Sequence, residues 1–117
     1  MSLANKNVLL KANAAITEGD NEGFLTSCTE DVKWEFVGDQ VLNGKEAVRA
    51  YLKKEYVEPP KFEVENLIAE GDFVTAIGKI SLKDESGKVT HYSYCDVWRF
   101  HNGKMAELKA FVIQIAQ

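Results

Sequence analysis

The second half of the chain carries a series of strand-like segments, and this series limits the fold more than any other feature. Residues 62–69, 73–83, 88–101 and 104–115 are rich in β-branched and aromatic side chains, and turn-forming residues separate them. The last two segments meet at Asn102-Gly103, a pair typical of a two-residue hairpin. The pattern predicts an antiparallel meander.

Helical patterns precede the meander. Apolar residues at helical spacing predict a first helix that ends near Glu18, and Gly19 suits the end of a helix. Asp20 is placed to cap a second, shorter helix. We expect the apolar side of that second helix to carry Phe24, Leu25 and Cys28.

A strand and a third helix follow. Apolar and polar side chains alternate over residues 32–37, which indicates a strand. Asn43 then stands at the N-cap position of a helix, with Glu46 three residues later as in a capping box. Pro59-Pro60 ends that helix, because proline cannot continue it.

This order of elements is typical of an α+β domain. We expect a cone in which three N-terminal helices pack on a curved, mostly antiparallel sheet, a cystatin-like α+β architecture. The 117 residues suit a single domain spanning 1–117, without a linker or a repeat.

Both faces of the predicted sheet carry large side chains. In the segment 88–101, aromatic residues occupy one face, while Cys95, Val97 and the stem of Arg99 occupy the other. Three helices can cover only one face of a small sheet. We therefore predict a homodimer through the outer sheet face, with Arg99 and Lys109 as surface or interface charges.

Composition excludes several functions. The net charge is -4 and no block of Lys and Arg occurs, which argues against nucleic acid as a partner. Cys28, Cys95, His91 and His101 form no closely spaced ligand set, so we expect free thiols, no metal and no cofactor. The sequence shows neither a membrane-length apolar run nor a signal pattern, so we expect a cytoplasmic protein with no membrane partner.

Asp96 is the candidate for chemistry. It has the same parity as Tyr94, Trp98 and Phe100 in its strand, so a pocket on that face would hold its carboxyl group among aromatic rings. Burial there would raise its pKa and leave a neutral acid able to donate a hydrogen bond. The alternative is an acid at the sheet edge or in an ion pair.

Glu35 allows two interpretations. In the first, Trp34 and Phe36 form the core and Glu35 is a surface acid, as strand parity predicts. In the second, a bulge or bend turns Glu35 inward as a general base paired with neutral Asp96.

Other polar residues have more ordinary interpretations. Tyr51 lies on the apolar face of the third helix, where its role is either packing or a hydroxyl in the pocket. His91 and His101 are expected to be solvated near turns. Cys28 is expected to be inert, because no base nearby favours its thiolate.

The order of short motifs resembles a known family. It is similar to the SnoaL-like branch of the nuclear-transport-factor-2-like superfamily, which includes ketosteroid isomerases and polyketide cyclases. The resemblance rests on Glu18-Gly19-Asp20, Glu30-Asp31 before a strand with Trp34, Gly44-Lys45-Glu46-Ala47-Val48, Glu70-Gly71-Asp72, and Asp96-Val97-Trp98-Arg99-Phe100 before Asn102-Gly103-Lys104.

The resemblance implies roles for particular residues. It places Asp96 where ketosteroid isomerases keep the protonated acid of their oxyanion hole, and Trp98 on the pocket wall. For the general base, counting back from Gly38 gives Glu35, whereas counting forward from Asp31 gives Phe36. The tyrosine of the isomerase oxyanion hole is expected eight residues before Asp20, where this chain has Ala12.

The resemblance implies a SnoaL-like protein that binds a small apolar carbonyl-containing molecule. Asp96 and Glu35 would catalyse a proton-transfer isomerisation or a polyketide-cyclase-like ring closure, and Trp34, Tyr51, Tyr94 and Trp98 would shape the site. Two alternatives remain open, a non-enzymatic ligand-binding or dimerising module of the same fold and a protein-interaction adaptor.

Overall fold

The computed structural model describes residues 2–56 and 58–115 and contains three helices and six strands within them. In chain order the elements are α1 (Ser2–Thr17), α2 (Asn21–Thr26), β1 (Cys28–Phe36), β2 (Gln40–Asn43), α3 (Lys45–Glu55), β3 (Lys61–Glu70), β4 (Phe73–Lys83), β5 (Val89–His101) and β6 (Lys104–Gln114).

The strands form one sheet in the order β2-β1-β6-β5-β4-β3. Neighbours run antiparallel except β1 and β6, which are parallel. The three helices pack on one face of this sheet, and the hydrophobic core lies between the two layers. The predicted α+β class and the antiparallel meander are confirmed.

The elbow between α1 and α2 forms as the sequence predicts. Gly19 adopts a φ of 81°, a conformation that costs other residues more than glycine. Asp20 then caps α2, because its side chain accepts a hydrogen bond of 2.9 Å from the backbone N–H of Gly23. Of the helices in residues 2–56 and 58–115, none is long and apolar enough to cross a membrane.

The start of α3 differs from the prediction. Asn43 is the last residue of β2, where it pairs with Lys33, and Gly44 is the N-cap without any side-chain cap. Gly44 instead donates its backbone N–H to the carbonyl of Val32 at 2.7 Å. The Glu46 carboxylate contacts Arg49 rather than closing a capping box. Asn43 therefore pairs in the sheet instead of capping α3, as the local motif had predicted.

The first strand is longer than predicted. It begins at Cys28, so this residue belongs to β1 and not to α2, which ends at Thr26. The short strand β2 was not predicted at all. It forms because the turn after Phe36 returns the chain antiparallel to β1, with Glu35 opposite Val41. Gly38 provides this turn with a φ of 86°.

The hairpin between β5 and β6 confirms the strongest turn signal. Asn102 and Gly103 have φ values of 51° and 80°, the positive values that a primed two-residue turn requires. A register shift between Arg99 and Phe100 then moves the pairing by one residue, so that Asp96 of β5 lies opposite Ala110 of β6.

Candidate functional site

A cavity of ≈ 340 Å³ opens between the helices and the inner face of the sheet. Its volume is at the lower end of those of small-molecule sites. The lining residues with exposed side chains are Val37, Asp39, Glu55 and Val112, and they mark the mouth. The cavity therefore suits a compact ligand that enters beside the β1–β2 turn.

Aromatic side chains form most of the wall. Trp34 and Phe36 are 5.6 Å apart between ring centroids, and Phe36 and Tyr51 are 5.1 Å apart. Such ring contacts hold each other in position and present a rigid apolar surface. The aromatic residues of the wall are Phe24, Trp34, Phe36, Tyr51, Tyr56, Phe62, Tyr92, Tyr94 and Trp98.

Asp96 lines this cavity from the middle of the sheet. Its direct neighbours across the sheet are Ala76 of β4 and Ala110 of β6, both buried. Because their side chains are single methyl groups, they leave space beside the carboxyl group that larger residues would fill. Burial raises the pKa of Asp96 to about 7. The carboxyl group is therefore substantially protonated near neutral pH.

Two tyrosines lie near this carboxyl group. Burial, followed by the charge of Asp96, raises the pKa of Tyr94 to about 12. The pKa of Tyr56 is raised as well, first by burial and then by the charges of Tyr51, Asp96 and Glu55. Both side chains are thus neutral phenols at physiological pH, and each can donate a hydrogen bond.

Two polar atoms of the wall have no hydrogen-bond partner. They are the indole Nε1 of Trp34 and the hydroxyl oxygen of Tyr94, whose residues are 7% and 5% exposed. An unpaired buried polar atom costs about 1–3 kcal/mol. Neither atom has accessible surface, so both lie within the wall and do not face the space of the cavity.

Glu35 does not reach this cavity. Trp34 and Phe36 both line it, so Glu35 between them points to the outer face of the sheet, where Lys109 is its neighbour on β6. The interpretation in which a bulge turns Glu35 toward Asp96 is wrong, because β1 is regular from residue 33 to residue 36. The structure therefore does not bring the two carboxyl groups together.

The four side chains predicted to shape the site all line the cavity, and they are Trp34, Tyr51, Tyr94 and Trp98. Tyr51 does so while packing against Trp34 and Phe36, so its two interpretations are compatible. Their placement is shown, whereas their contact with a ligand stays a prediction.

Sequence reasoning missed several wall residues. Tyr92 shares the parity of Asp96, so the alternation of β5 was a signal that could have found it. Tyr56 is the C-cap of α3 and follows Leu52 by four residues, so the helical spacing of the apolar face was a signal that could have found it. Asn13 lines the cavity from α1, whereas its neighbour Ala12 is buried in the core.

The remaining candidates lie outside the cavity. His91 was expected to be solvated but is only partly exposed, and its Nδ1 lies 2.8 Å from the Ser81 hydroxyl oxygen. His101 is exposed, as expected. Burial raises the pKa of the Cys28 thiol to about 12, which disfavours the thiolate. Among residues 2–56 and 58–115, no three His, Cys, Asp or Glu side chains are grouped to hold a metal ion.

Three helices packed on a mostly antiparallel sheet, with a cavity between the two layers, define an α+β cone. The model of the SnoaL-like domain matches residues 10–108, and the chain therefore belongs to the SnoaL-like family. None of the curated protein sequences matches the chain significantly.

Solved structures show the same fold. Bal32a, from a soil-derived mobile gene cassette, has a TM-score of 0.84 at 20% identity, over 95% of this chain and 90% of its own. A candidate SnoaL-like polyketide cyclase from Jannaschia sp. CCS1 has a TM-score of 0.83 at 17% identity, over 96% and 87%. A candidate ketosteroid isomerase from Kribbella flavida has a TM-score of 0.83 at 14% identity, over 99% of this chain and 82% of its own.

Proposed function

We propose that the cavity binds a small, largely apolar molecule with a carbonyl group, and that neutral Asp96 donates a hydrogen bond to the carbonyl oxygen. The observation that carries the proposal is an acid with a pKa of about 7 in a cavity walled by aromatic rings. A protonated carboxyl group stabilises the negative charge that develops on a carbonyl oxygen.

The same carboxyl group can catalyse enolisation. Asp96 gives its proton to the carbonyl oxygen while a water molecule removes a proton from the α-carbon, so an enol, a carboxylate and a hydronium ion form. Solvent then returns a proton to Asp96. An acid whose pKa lies near the working pH is suited to this exchange. Similarity in fold to proteins described as a candidate polyketide cyclase and a candidate ketosteroid isomerase supports an enzymatic role.

A non-enzymatic ligand-binding role is the second candidate. It is favoured by the outward position of Glu35, which leaves the cavity without a paired base of the predicted kind. The residue in the place of the expected tyrosine, Ala12, carries no donor. Under this alternative, Asp96 positions a ligand without transferring a proton.

Binding can be followed through intrinsic fluorescence. The chain has two tryptophans, Trp34 and Trp98, and both line the cavity. We would titrate the protein with β-decalone, a saturated bicyclic ketone whose carbonyl group absorbs only weakly where tryptophan is excited. The affinity is expected to fall roughly tenfold per pH unit above about 7, because only the neutral acid donates.

Variants distinguish the contribution of Asp96 to binding from that of other residues. Asp96→Asn keeps a donor but cannot ionise, so its affinity is expected not to change with pH, whereas Asp96→Ala is expected to bind weakly throughout. Glu35→Gln is the matched control outside the cavity and should behave like the wild-type protein. Wild-type binding that does not change with pH or does not depend on Asp96 would contradict the proposal.

Catalysis has a separate readout. Deuterium uptake at the α-carbons of β-decalone in heavy water, measured by nuclear magnetic resonance, is expected for the wild-type protein and lost in Asp96→Asn. Binding without uptake would support the non-enzymatic alternative.

We also propose a homodimer through the outer sheet face. Four apolar side chains on that face are 42–67% exposed, namely Ile68, Phe73, Phe111 and Ile113. Phe111 lies beside Cys95, and Ile113 beside Ser93, so the neighbours of these two side chains on β5 carry no charge. A surface of this kind is suited to a two-fold contact between identical copies.

A further inference from the structure

The ionisable groups around the cavity have one sign of charge. Three carboxyl groups line it, from Asp39, Glu55 and Asp96, and its remaining titratable side chains are tyrosines. Among the residues that the structure describes, no lysine, arginine or histidine lines the wall. A ligand that enters this cavity therefore meets negative charge without a compensating cation.

The two acids at the mouth are available to a ligand. Asp39 and Glu55 are exposed, and within residues 2–56 and 58–115 neither forms an ion pair. Lys54 and Lys83 line a neighbouring surface depression with Glu55, but Lys83 is paired with Glu58 at 3.6 Å. The net charge of -4 gives the whole molecule a field of the same sign.

Aromatic rings stand directly behind these acids. The pKa of Tyr51 is raised to about 12, first by burial and then by the charges of Glu55, Tyr92 and Asp39, so this ring lies within the field of both acids. Its ring is 5.1 Å from that of Phe36 and 6.0 Å from that of Tyr56. Carboxylates combined with the faces of aromatic rings are the surroundings that bind organic cations.

The inner wall is suited to a hydrogen-bond acceptor. Asp96 lines the cavity from the middle of the sheet, between the small buried side chains of Ala76 and Ala110. Its neutral carboxyl group donates a hydrogen bond, so it is suited to an acceptor such as a carbonyl oxygen. The cavity thus combines a site for a cation at its mouth with a donor on its inner wall.

We propose that the ligand is an apolar amino ketone, with its protonated amine at the mouth between Asp39 and Glu55 and its carbonyl group on the inner wall. This inference rests on the proposed function and specifies its ligand class. It also excludes carboxylates and phosphates as preferred ligands, because the mouth acids repel anions and no cation of the wall offsets this repulsion.

Three matched cyclohexanones test the inference. They bear a dimethylaminomethyl, a hydroxymethyl or a carboxymethyl group at the ring carbon opposite the carbonyl group, so they differ in charge and little in shape. At low ionic strength the tertiary amine is expected to bind roughly tenfold more tightly than the carboxylate, with the alcohol between them. Added salt is expected to reduce the difference, because the mouth is exposed.

A double variant identifies the acids that are responsible. Asp39→Asn with Glu55→Gln is expected to bring the three affinities within about twofold of one another. Glu18→Gln with Glu70→Gln is the control, because it removes the same charge from exposed residues that do not line the cavity. This control should retain the preference for the amine.

The outcomes separate the inference from the proposed function. Equal affinity for the amine and the carboxylate overturns the inference, whereas the proposed function stands if the alcohol still binds in a way that depends on Asp96. A preference for the amine that survives in the double variant also overturns it. Failure of all three compounds to bind overturns the inference, whereas the proposed function is then decided by the binding of β-decalone.

Discussion

Gly78 of β4 lies so close to Glu63 of β3 that a Cβ atom at residue 78 would overlap the Glu63 carbonyl oxygen. The two strands change register between Val64 and Asn66, next to this contact. A β-bulge that brings two backbones together requires a residue without a side chain. Gly78 therefore determines how β3 meets β4 along one wall of the cavity.

Replacing Gly78 by alanine is expected to lower the free energy of unfolding by about 1–3 kcal/mol, because the backbones of β3 and β4 must separate. Chemical denaturation followed by tryptophan fluorescence measures this. Lys79→Ala is the control, since its exposed side chain makes only the surface ion pair with Glu65 at 3.4 Å. A loss no larger than that of the control would show that the contact is not tight.

Asp96 is expected to make stability depend on pH. Its pKa in the folded protein, about 7, lies above the value of about 4 in an unfolded chain, so the folded state binds the proton more tightly. This contribution is fully present below pH about 4 and is lost as the pH rises to about 7, at about 1.4 kcal/mol per unit.

Comparison with Asp96→Asn isolates this contribution, because other carboxyl groups titrate in both proteins. Between pH 5 and pH 7, the wild-type protein is expected to lose about 2–3 kcal/mol of unfolding free energy relative to Asp96→Asn. Asp39→Asn, at the exposed mouth, is the control. Parallel pH profiles for wild type and Asp96→Asn would rule out a raised pKa.

Tyr94→Phe is expected to stabilise the ligand-free protein. The hydroxyl of Tyr94 is buried without a partner, so its removal relieves a desolvation cost of about 1 kcal/mol. The same change is expected to leave β-decalone binding within about twofold of the wild type, because this hydroxyl has no accessible surface in the cavity. Thermal denaturation and the fluorescence titration measure the two effects.

Tyr92→Phe is the matched control, since this tyrosine lines the same cavity from the same strand but is only partly buried. Its stability is expected to remain within about 0.5 kcal/mol of the wild type. Destabilisation by Tyr94→Phe would mean that the hydroxyl has a partner in the folded protein.

A single substitution on the outer sheet face is expected to change the oligomeric state of the protein. Ile113→Asp places a charge on the proposed interface and is expected to convert the dimer to a monomer, as measured by sedimentation equilibrium. Its side chain is 67% exposed, so the fold itself should tolerate the change. Leu3→Asp is the control, because Leu3 is 71% exposed on α1. A wild-type protein that sediments as a monomer would refute the dimer.

Local patterns were sufficient for much of the fold. The elbow at Gly19-Asp20 and the hairpin at Asn102-Gly103 were predicted because their geometry depends on the backbone preferences of one or two residues. The prediction of Asn43 as a cap was wrong, since pairing with Lys33 of the preceding strand β1 competed with the local motif. The missed strand β2 has the same cause.

The sequence by itself determined the α+β class, the order of the elements and the side of β5 on which Asp96 lies, because alternation along a strand depends only on neighbouring residues. Only the tertiary structure decided that Glu35 faces away from the cavity, that Ala76 and Ala110 leave space beside Asp96, and that Asp39 and Glu55 share one mouth. These relationships join residues far apart in the chain, and only packing of the helices on the sheet brings them together.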